Sequence, residues 1–402
     1  MEQKQVDQMK EQRPVGQNTE QRPVNPYALW LTGIEGVGGK TIRALMRRAS
    51  GAEEVYNMSE EEIRRCLSET MKKQADAVRM ASRITRAHRE RPEEQLGRLY
   101  ERGIRFVSVE DDFFPDRLRE IPDCPYGIYY IGKLPPEDRP SVAIVGARNC
   151  SGYGREQARI FAEKLALRGI SIVSGMARGV DGIAGRSAVT AGGDSFAVLG
   201  CGVDVIYPPE NTELYHMLRE RGGIISESQP GAEPRTPLFP RRNRLISGLA
   251  DAVLVIEARR RSGTVITVDA ALEQGREIFA LPGRVSDRLS DGCNLLISQG
   301  ATIACTPDML VEYFYGVTDS GTDLSEQNRI ARNCRGRELY GLEAVLFDVL
   351  GCGEIMEAEY LRRRAERIMQ HRVSVEEFVA CMVSLQIKGL AAEIGAGHYK
   401  GI

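Results

Sequence analysis

The chain has 402 residues, 42% apolar and 27% charged, and 54 Lys and Arg against 56 Asp and Glu leave a net charge of -2. That length holds two or three domains with full cores, and the composition is that of a globular protein rather than a disordered one. A chain so close to neutral meets nucleic acid only through a local patch.

Nine scattered Cys form no Cys-x-x-Cys pair, and only four His are present, which argues against a disulfide framework and a structural zinc. Cys150, Cys201 and Cys305 lie in or beside apolar runs and read as reduced core residues. The polar start, Met1-Glu2-Gln3-Lys4-Gln5, has no apolar signal core, and no run is long enough to span a bilayer. The expectation is a cytoplasmic protein with no membrane partner.

Residues 1–25, rich in Gln, Glu, Arg and Pro, read as a disordered tail. Residues 26–102 show helical spacing, as at Ile42, Leu45 and Met46 and again at Ala75, Val78, Ala81 and Ile84, which predicts a small all-helical domain. Its segment Thr32 to Thr41 ends in Gly-Lys-Thr, but a phosphate loop needs Gly five positions before Gly39, where Ile34 stands. The run Gly33-Ile34-Glu35-Gly36-Val37-Gly38 resembles instead the hairpin of a helix-hairpin-helix or SAM-like module, in which backbone N–H groups approach a DNA phosphate. A turn kept for packing alone has the same pattern, and the sequence does not choose between them.

Residues 103–315 alternate strand and helix patterns, predicting an α/β domain with an extended Rossmann-like, mostly parallel, doubly wound sheet. Six apolar runs begin at Ser141, Ile170, Ser195, Ile224, Ala252 and Glu277, each the signature of a strand covered on both faces. Ligands of such sheets bind beyond the carboxyl ends of the strands. The first run ends in Gly146-Ala147-Arg148, whose spacing is not the Gly-x-Gly-x-x-Gly of dinucleotide binders. The second runs into Ser174-Gly175-Met176-Ala177-Arg178-Gly179-Val180-Asp181, with Asp181 read as a capping or solvated carboxylate. Tyr207-Pro208-Pro209-Glu210-Asn211 reads as the start of a helix.

Arg241, Arg242 and Arg244 in Phe239-Pro240-Arg241-Arg242-Asn243-Arg244 stand too close to pair with one another, with no carboxylate interleaved. An external polyanion would relieve their repulsion, Phe239 would stack on a base, and Asn243 would hold the loop or bond a phosphate. Arg259-Arg260-Arg261-Ser262-Gly263-Thr264 follows the fifth run, with Ser262 to Thr264 able to cap a helix and hold a second phosphate. Asn294 is a further candidate ligand contact. Residues 316–338 read as a linker, and residues 339–402 as a winged-helix-like module. Its second helix, with Glu376 and Glu377, is poorly suited to DNA.

Ser174-Gly-x-Ala-Arg-Gly-x-Asp181, Tyr207-Pro-Pro-Glu-Asn211, Phe239 to Arg244, Arg261-Ser-Gly-Thr264 and Asp291 to Ile297 occur in order. Together they resemble the DNA-processing protein A family, also called Smf, over roughly residues 106–310. The resemblance implies a non-enzymatic protein that binds and protects single-stranded DNA, displaces single-strand binding protein and loads the RecA recombinase during transformation and homologous recombination. It also implies a homodimer, with no catalytic residue, cofactor or metal. The expected DNA-binding set is Gly146, Arg148, Ser174, Gly175, Arg178, Phe239, Arg241, Arg242, Asn243, Arg244, Ser262, Gly263, Thr264 and Asn294. Where the family commonly has Ala-His-Arg, this chain has Ala184-Gly185-Arg186, so no role of that His carries over. The alternative is a Rossmann-like nucleotide binder or nucleoside-monophosphate hydrolase. Such enzymes carry a Glu three residues after Gly-Thr, where this chain has Thr267.

Overall fold

The computed structural model describes residues 24–316, except 72 and 88–90, and residues 332–401, except 335–336, 340, 351–354, 370–372 and 396. Nearly all of the expected tail, and most of the expected linker, therefore lie outside the described residues. The chain divides into two compact units, Met1–Gly316 and Val317–Ile402. Among the described residues, no helix is long and apolar enough to cross a membrane.

The first unit opens with six helices: α1 (Pro26–Gly33), α2 (Gly39–Met46), α3 (Ala52–Asn57), α4 (Glu60–Ser68), α5 (Gln74–Arg86) and α6 (Pro92–Glu101). Local chemistry sets their starts. Asn25 accepts from the Tyr27 N–H ahead of α1, and Ser59 and Glu62 form a reciprocal capping box on α4. The glycine hairpin joins α1 to α2, and Arg83 of α5 donates to the Glu35 carbonyl within it. Gly36 there has φ +82°, a left-handed conformation that favours glycine.

A nine-stranded sheet follows. Its first strands are β1 (Arg105–Ser108) and β2 (Gly127–Gly132), with the short helix α7 (Asp116–Arg119) between them. Then come β3 (Ser141–Val145), α8 (Gly152–Leu167), β4 (Ser171–Ser174), α9 (Val180–Thr190), β5 (Ser195–Leu199), α10 (Thr212–Arg221) and β6 (Gly223–Ser226). The second half holds α11 (Leu238–Gly248), β7 (Ala252–Val255), α12 (Gly263–Glu273), β8 (Glu277–Ala280), α13 (Asp291–Ser298), β9 (Thr302–Ile303) and α14 (Pro307–Tyr315). The strand order is β1-β2-β6-β5-β4-β3-β7-β8-β9, parallel from β6 to β9, with β1 and β2 added antiparallel at one edge. This is the doubly wound α/β sheet that the apolar runs predict.

Side-chain alternation along the strands fixes which helix packs where. Val142 and Ile144 of β3 join Phe161 of α8, Ala184 of α9 and Leu310 of α14 in one buried cluster. Ala143 and Val145 point the other way, into a cluster with Leu245 of α11, Val268 of α12 and Cys293 of α13. A third cluster runs from Trp30 and Leu45 of the helices into Phe106, Tyr129 and Ile131 of the antiparallel edge, so the helical segment and the sheet share buried side chains. Cys150 and Cys201 are buried as expected, but Cys305 is exposed, because β9 has only two residues and the chain surfaces at once into α14.

The direction of strand addition reverses at β3: β4, β5 and β6 lie on one side of it, β7, β8 and β9 on the other. The loops after β3 and β7 therefore diverge and leave a crevice at their carboxyl ends.

In the second unit, strands Arg332–Cys334 and Arg337–Leu339 pair with each other. Beyond them α15 (Gly341–Leu350), α16 (Ala358–Met369) and α17 (Val375–Ile387) accompany a three-stranded antiparallel sheet of Ile355–Glu357, His398–Gly401 and Ala391–Gly395. Glu377 is spent on a capping box with Ser374 at the start of α17.

Phe196, the second residue of β5, is fully buried in the cluster that also holds Leu245 of α11. Phe196→Ala is expected to lower stability by about 3–5 kcal/mol, read as a lower urea midpoint with an unchanged slope.

Candidate nucleic-acid interface

A cleft of about 590 Å³ occupies the crevice at the switch point. Gly146 and Arg148 reach it from the loop after β3, Phe239 and Asn243 from the start of α11, and Ser262 and Thr264 from the start of α12. These are the chain segments that a reversal of strand order brings together.

Two buried carboxylates organise its walls. Asp181, in the first turn of α9, accepts from the Gly175 N–H at 3.1 Å and also from the N–H groups of Gly146 and Ala177. Burial pushes its carboxyl up, against the opposing pull of the Arg242 guanidinium. Glu257, fully buried just past β7, accepts from the Ser151 N–H at 2.9 Å and from the Ser151 hydroxyl, at the start of α8. Dinucleotide-binding folds seat a pyrophosphate at the N-terminus of that first helix. Here the protein's own carboxylate holds the place.

The arginine cluster divides into three roles. Arg242 is only 6% exposed, and its guanidinium donates to the carbonyls of Gly175 at 2.9 Å and Val198, and to the Asn243 side chain at 3.0 Å. Burial lowers its pKa to about 10, which still leaves it charged at neutral pH. Arg244 is largely buried and donates to Glu227 at 2.6 Å and to the Asp123 carbonyl at 2.6 Å. Arg241 keeps a half-exposed side chain, 2.9 Å from the other oxygen of Glu227. The repulsion expected to need an external polyanion is thus relieved internally, by a carboxylate at the end of β6. Neither Arg241 nor Arg244 lines the cleft.

Arg148 differs. Among the described residues it makes no ion pair, and its guanidinium lies 5.7 Å from the centre of the Phe239 ring. A cation over an aromatic face contributes about 0.5–1 kcal/mol at such a site and leaves the other donors free. Phe239 is half-buried, and its ring centre lies 5.5 Å from that of Tyr207 at an interplanar angle of 30°. Tyr207 is 38% exposed and lines the cleft. Its proline-rich setting reads as the start of a helix, and Pro209–Asn211 does form a single 3-10 turn leading into α10. The side chain's second use, as an aromatic wall, has no signal in that motif.

At the third wall, Ser262 stands at the cap position of α12 with an extended backbone, but its hydroxyl caps nothing and is buried without a partner. The first turn of α12 contains no acidic residue. Gly263 is exposed, Thr264 is buried, and the Asn243 amide donates to the Gly263 carbonyl at 3.3 Å, tying α11 to α12. Asn243 therefore holds the loop.

The other expected contacts are committed to the fold. The Ser174 hydroxyl donates to the Ile144 carbonyl at 2.7 Å. Gly175 lies between Arg242 and Asp181: a Cβ there would sit 2.7 Å from the guanidinium carbon of one and 2.7 Å from Oδ2 of the other. With its N–H on Asp181, and α9 starting only at Val180, Gly175 offers no helix N-terminus to a phosphate. Asn294 exchanges two hydrogen bonds with the Gly283 backbone, at 3.0 and 3.2 Å, and closes the loop after β8. Arg178 is exposed, 3.5 Å from Glu210, beside a smaller adjoining hollow. Gly185 is buried, with Leu214 of α10 3.4 Å from where a Cβ would lie.

The family model of DNA recombination-mediator protein A matches residues 105–315, which is the sheet and its loops. The chain belongs to that family. It is 40% identical over 236 residues to protein Smf of Escherichia coli, a match covering 58% of this chain and 63% of that protein, so it spans under two thirds of that relative. It is 42% identical over 207 residues to the DNA processing protein DprA of Streptococcus pneumoniae, covering 51% of this chain and 73% of that protein. The crystal structure of DNA processing protein A from Streptococcus pneumoniae superposes with a TM-score of 0.61 at 32% identity, over 72% of this chain and 97% of that one.

Removing the Arg242 guanidinium strands Asp181 in a buried site, and breaking such an arrangement costs about 3–5 kcal/mol. Arg242→Ala is therefore expected to lower the urea midpoint sharply, and Arg241→Ala, with its half-exposed side chain, to leave it within about 0.5 kcal/mol of wild type.

Proposed function

We propose that this protein binds single-stranded DNA across the cleft at the switch point, without catalysing a reaction on it. The observation that carries the reading is the distribution of free charge. The backbone donors after β3 and β4 and at the start of α8 are taken by Asp181 and Glu257, which leaves Arg148, Arg259 and the acid-free start of α12 as the free positive groups facing the cleft. Beside them stand Tyr207 and Phe239, flat surfaces on which an unpaired base can stack. A cation for phosphate, a helix start for a second phosphate and an aromatic wall for a base suit a single strand.

Hydrolysis of a nucleotide fits less well. Among the described residues Asp181 is the one carboxylate lining the cleft, and it is occupied by three backbone donors. Thr267 stands where the hydrolases carry Glu, and it is buried.

Family membership supports the wider role. The bound strand would be protected, cleared of single-strand binding protein and passed to RecA recombinase, with the protein acting as a cytoplasmic homodimer. Acceleration of RecA assembly on a strand covered by single-strand binding protein would measure that step.

Fluorescence anisotropy with single-strand and matched duplex oligonucleotides across a salt series tests the binding itself. Preference for the single strand and a steep salt slope are expected. Arg148→Ala should weaken binding about tenfold, or ~1.4 kcal/mol, and lower the slope by about 0.7. Arg241→Ala should do less, because Glu227 already shares its charge. Equal affinity for duplex, or wild-type binding by Arg148→Ala, would take the strand out of this cleft. Release of base from a nucleoside monophosphate would favour the hydrolase reading.

A further inference from the structure

We infer that a strand leaving the cleft continues over a second arginine track, built from the loop after β7 and the loop after β8. This rests on the binding mode proposed above and extends it to the flanking phosphates.

Arg259, Arg260 and Arg261 are exposed on the first loop, and Arg284 and Arg288 on the second. Two backbone hydrogen bonds join the loops side by side: the Ala258 N–H donates to the Leu289 carbonyl at 2.9 Å, and the Gly292 N–H to the Ala258 carbonyl at 2.8 Å. The track is continuous with the cleft, because Arg259 and Leu289 belong to its rim. The other four arginines stand on the same two loops, which follow β7 and β8.

Close spacing of arginines in sequence does not by itself call for a ligand, as Glu227 shows for Arg241 and Arg244. The second track meets the harder condition. Among the described residues none of its five arginines forms an ion pair or a side-chain hydrogen bond. Three carboxylates stand nearby in sequence, of which Glu257 is buried and committed to Ser151. Asp287 accepts from the Leu289 N–H at 3.0 Å within its own turn, and Asp291 lies in the first turn of α13, so positive charge remains in excess. Between Arg284 and Arg288 the loop also raises Val285, which is 91% exposed. Five unpaired cations with an apolar side chain at the crest fit a sugar–phosphate backbone, which offers an anion at each step and an apolar sugar face between them.

The test compares oligothymidylates of roughly six and roughly 20 nucleotides on wild type and on the triple variant Arg260→Gln, Arg284→Gln, Arg288→Gln. All three side chains are exposed and none lines the cleft, so the variant should melt as wild type does. The short oligonucleotide should bind both proteins within about twofold. The long one should bind wild type tighter, and the variant should lose about tenfold or more of that affinity, with a salt slope lower by about 1.4–2 for two to three lost phosphate contacts. If wild type binds both lengths and the variant keeps the long-strand affinity and slope, the track is not used. If wild type ignores the short strand, the cleft reading falls, and the continuation with it.

Discussion

Everything at the carboxyl edge of this sheet depends on one buried constellation, in which Asp181 and Arg242 face each other across Gly175. The carboxylate gathers three backbone N–H groups from the loops after β3 and β4. The guanidinium ties the start of α11 to the carbonyls of Gly175 and Val198. Burial raises the pKa of the Asp181 carboxyl, and the nearby Arg242 guanidinium pulls it back down. The loops this pair binds are the ones that form the cleft wall, so the shape of the site is held by the hydrogen bonds these two side chains make beneath it.

The same logic explains which ligands the edge can accept. An α/β sheet with free glycine loops at its switch point invites a pyrophosphate. This chain fills those seats with Asp181 and Glu257 and leaves its free positive charge farther along, at Arg148, at the start of α12 and on the loops after β7 and β8. Charge displaced from one compact pocket onto a line suits an extended anion better than a compact one. Tyr207 and Phe239 pack ring to ring beside Arg148 and give the cleft an aromatic wall.

Much of the architecture is legible in the chain itself. Runs such as Ser141–Val145 and Ala252–Val255 announce strands buried on both faces, because only a fully covered strand tolerates such continuous apolarity. The order of the glycine and arginine loops, and the helical spacing before residue 102, are equally plain. Short or edge elements are not: β9 is two residues long, and Cys305 beside it is exposed although its neighbours look like core.

What the sequence by itself determined is the sheet, its doubly wound helices and the loops that meet at the crevice, since these follow from apolar periodicity and from strand order. What only the tertiary structure decided is the work of each polar side chain. Arg241, Arg242 and Arg244 are near-identical in sequence context, yet one is half-exposed, one holds the loops together and one is paired to Glu227 from 17 residues away. Asn294 and Ser174 turn inward, while Tyr207 turns out to line the cleft. The reason is physical: burial of apolar side chains is set by local pattern, whereas the role of a charge is set by which opposite charge the fold carries to it.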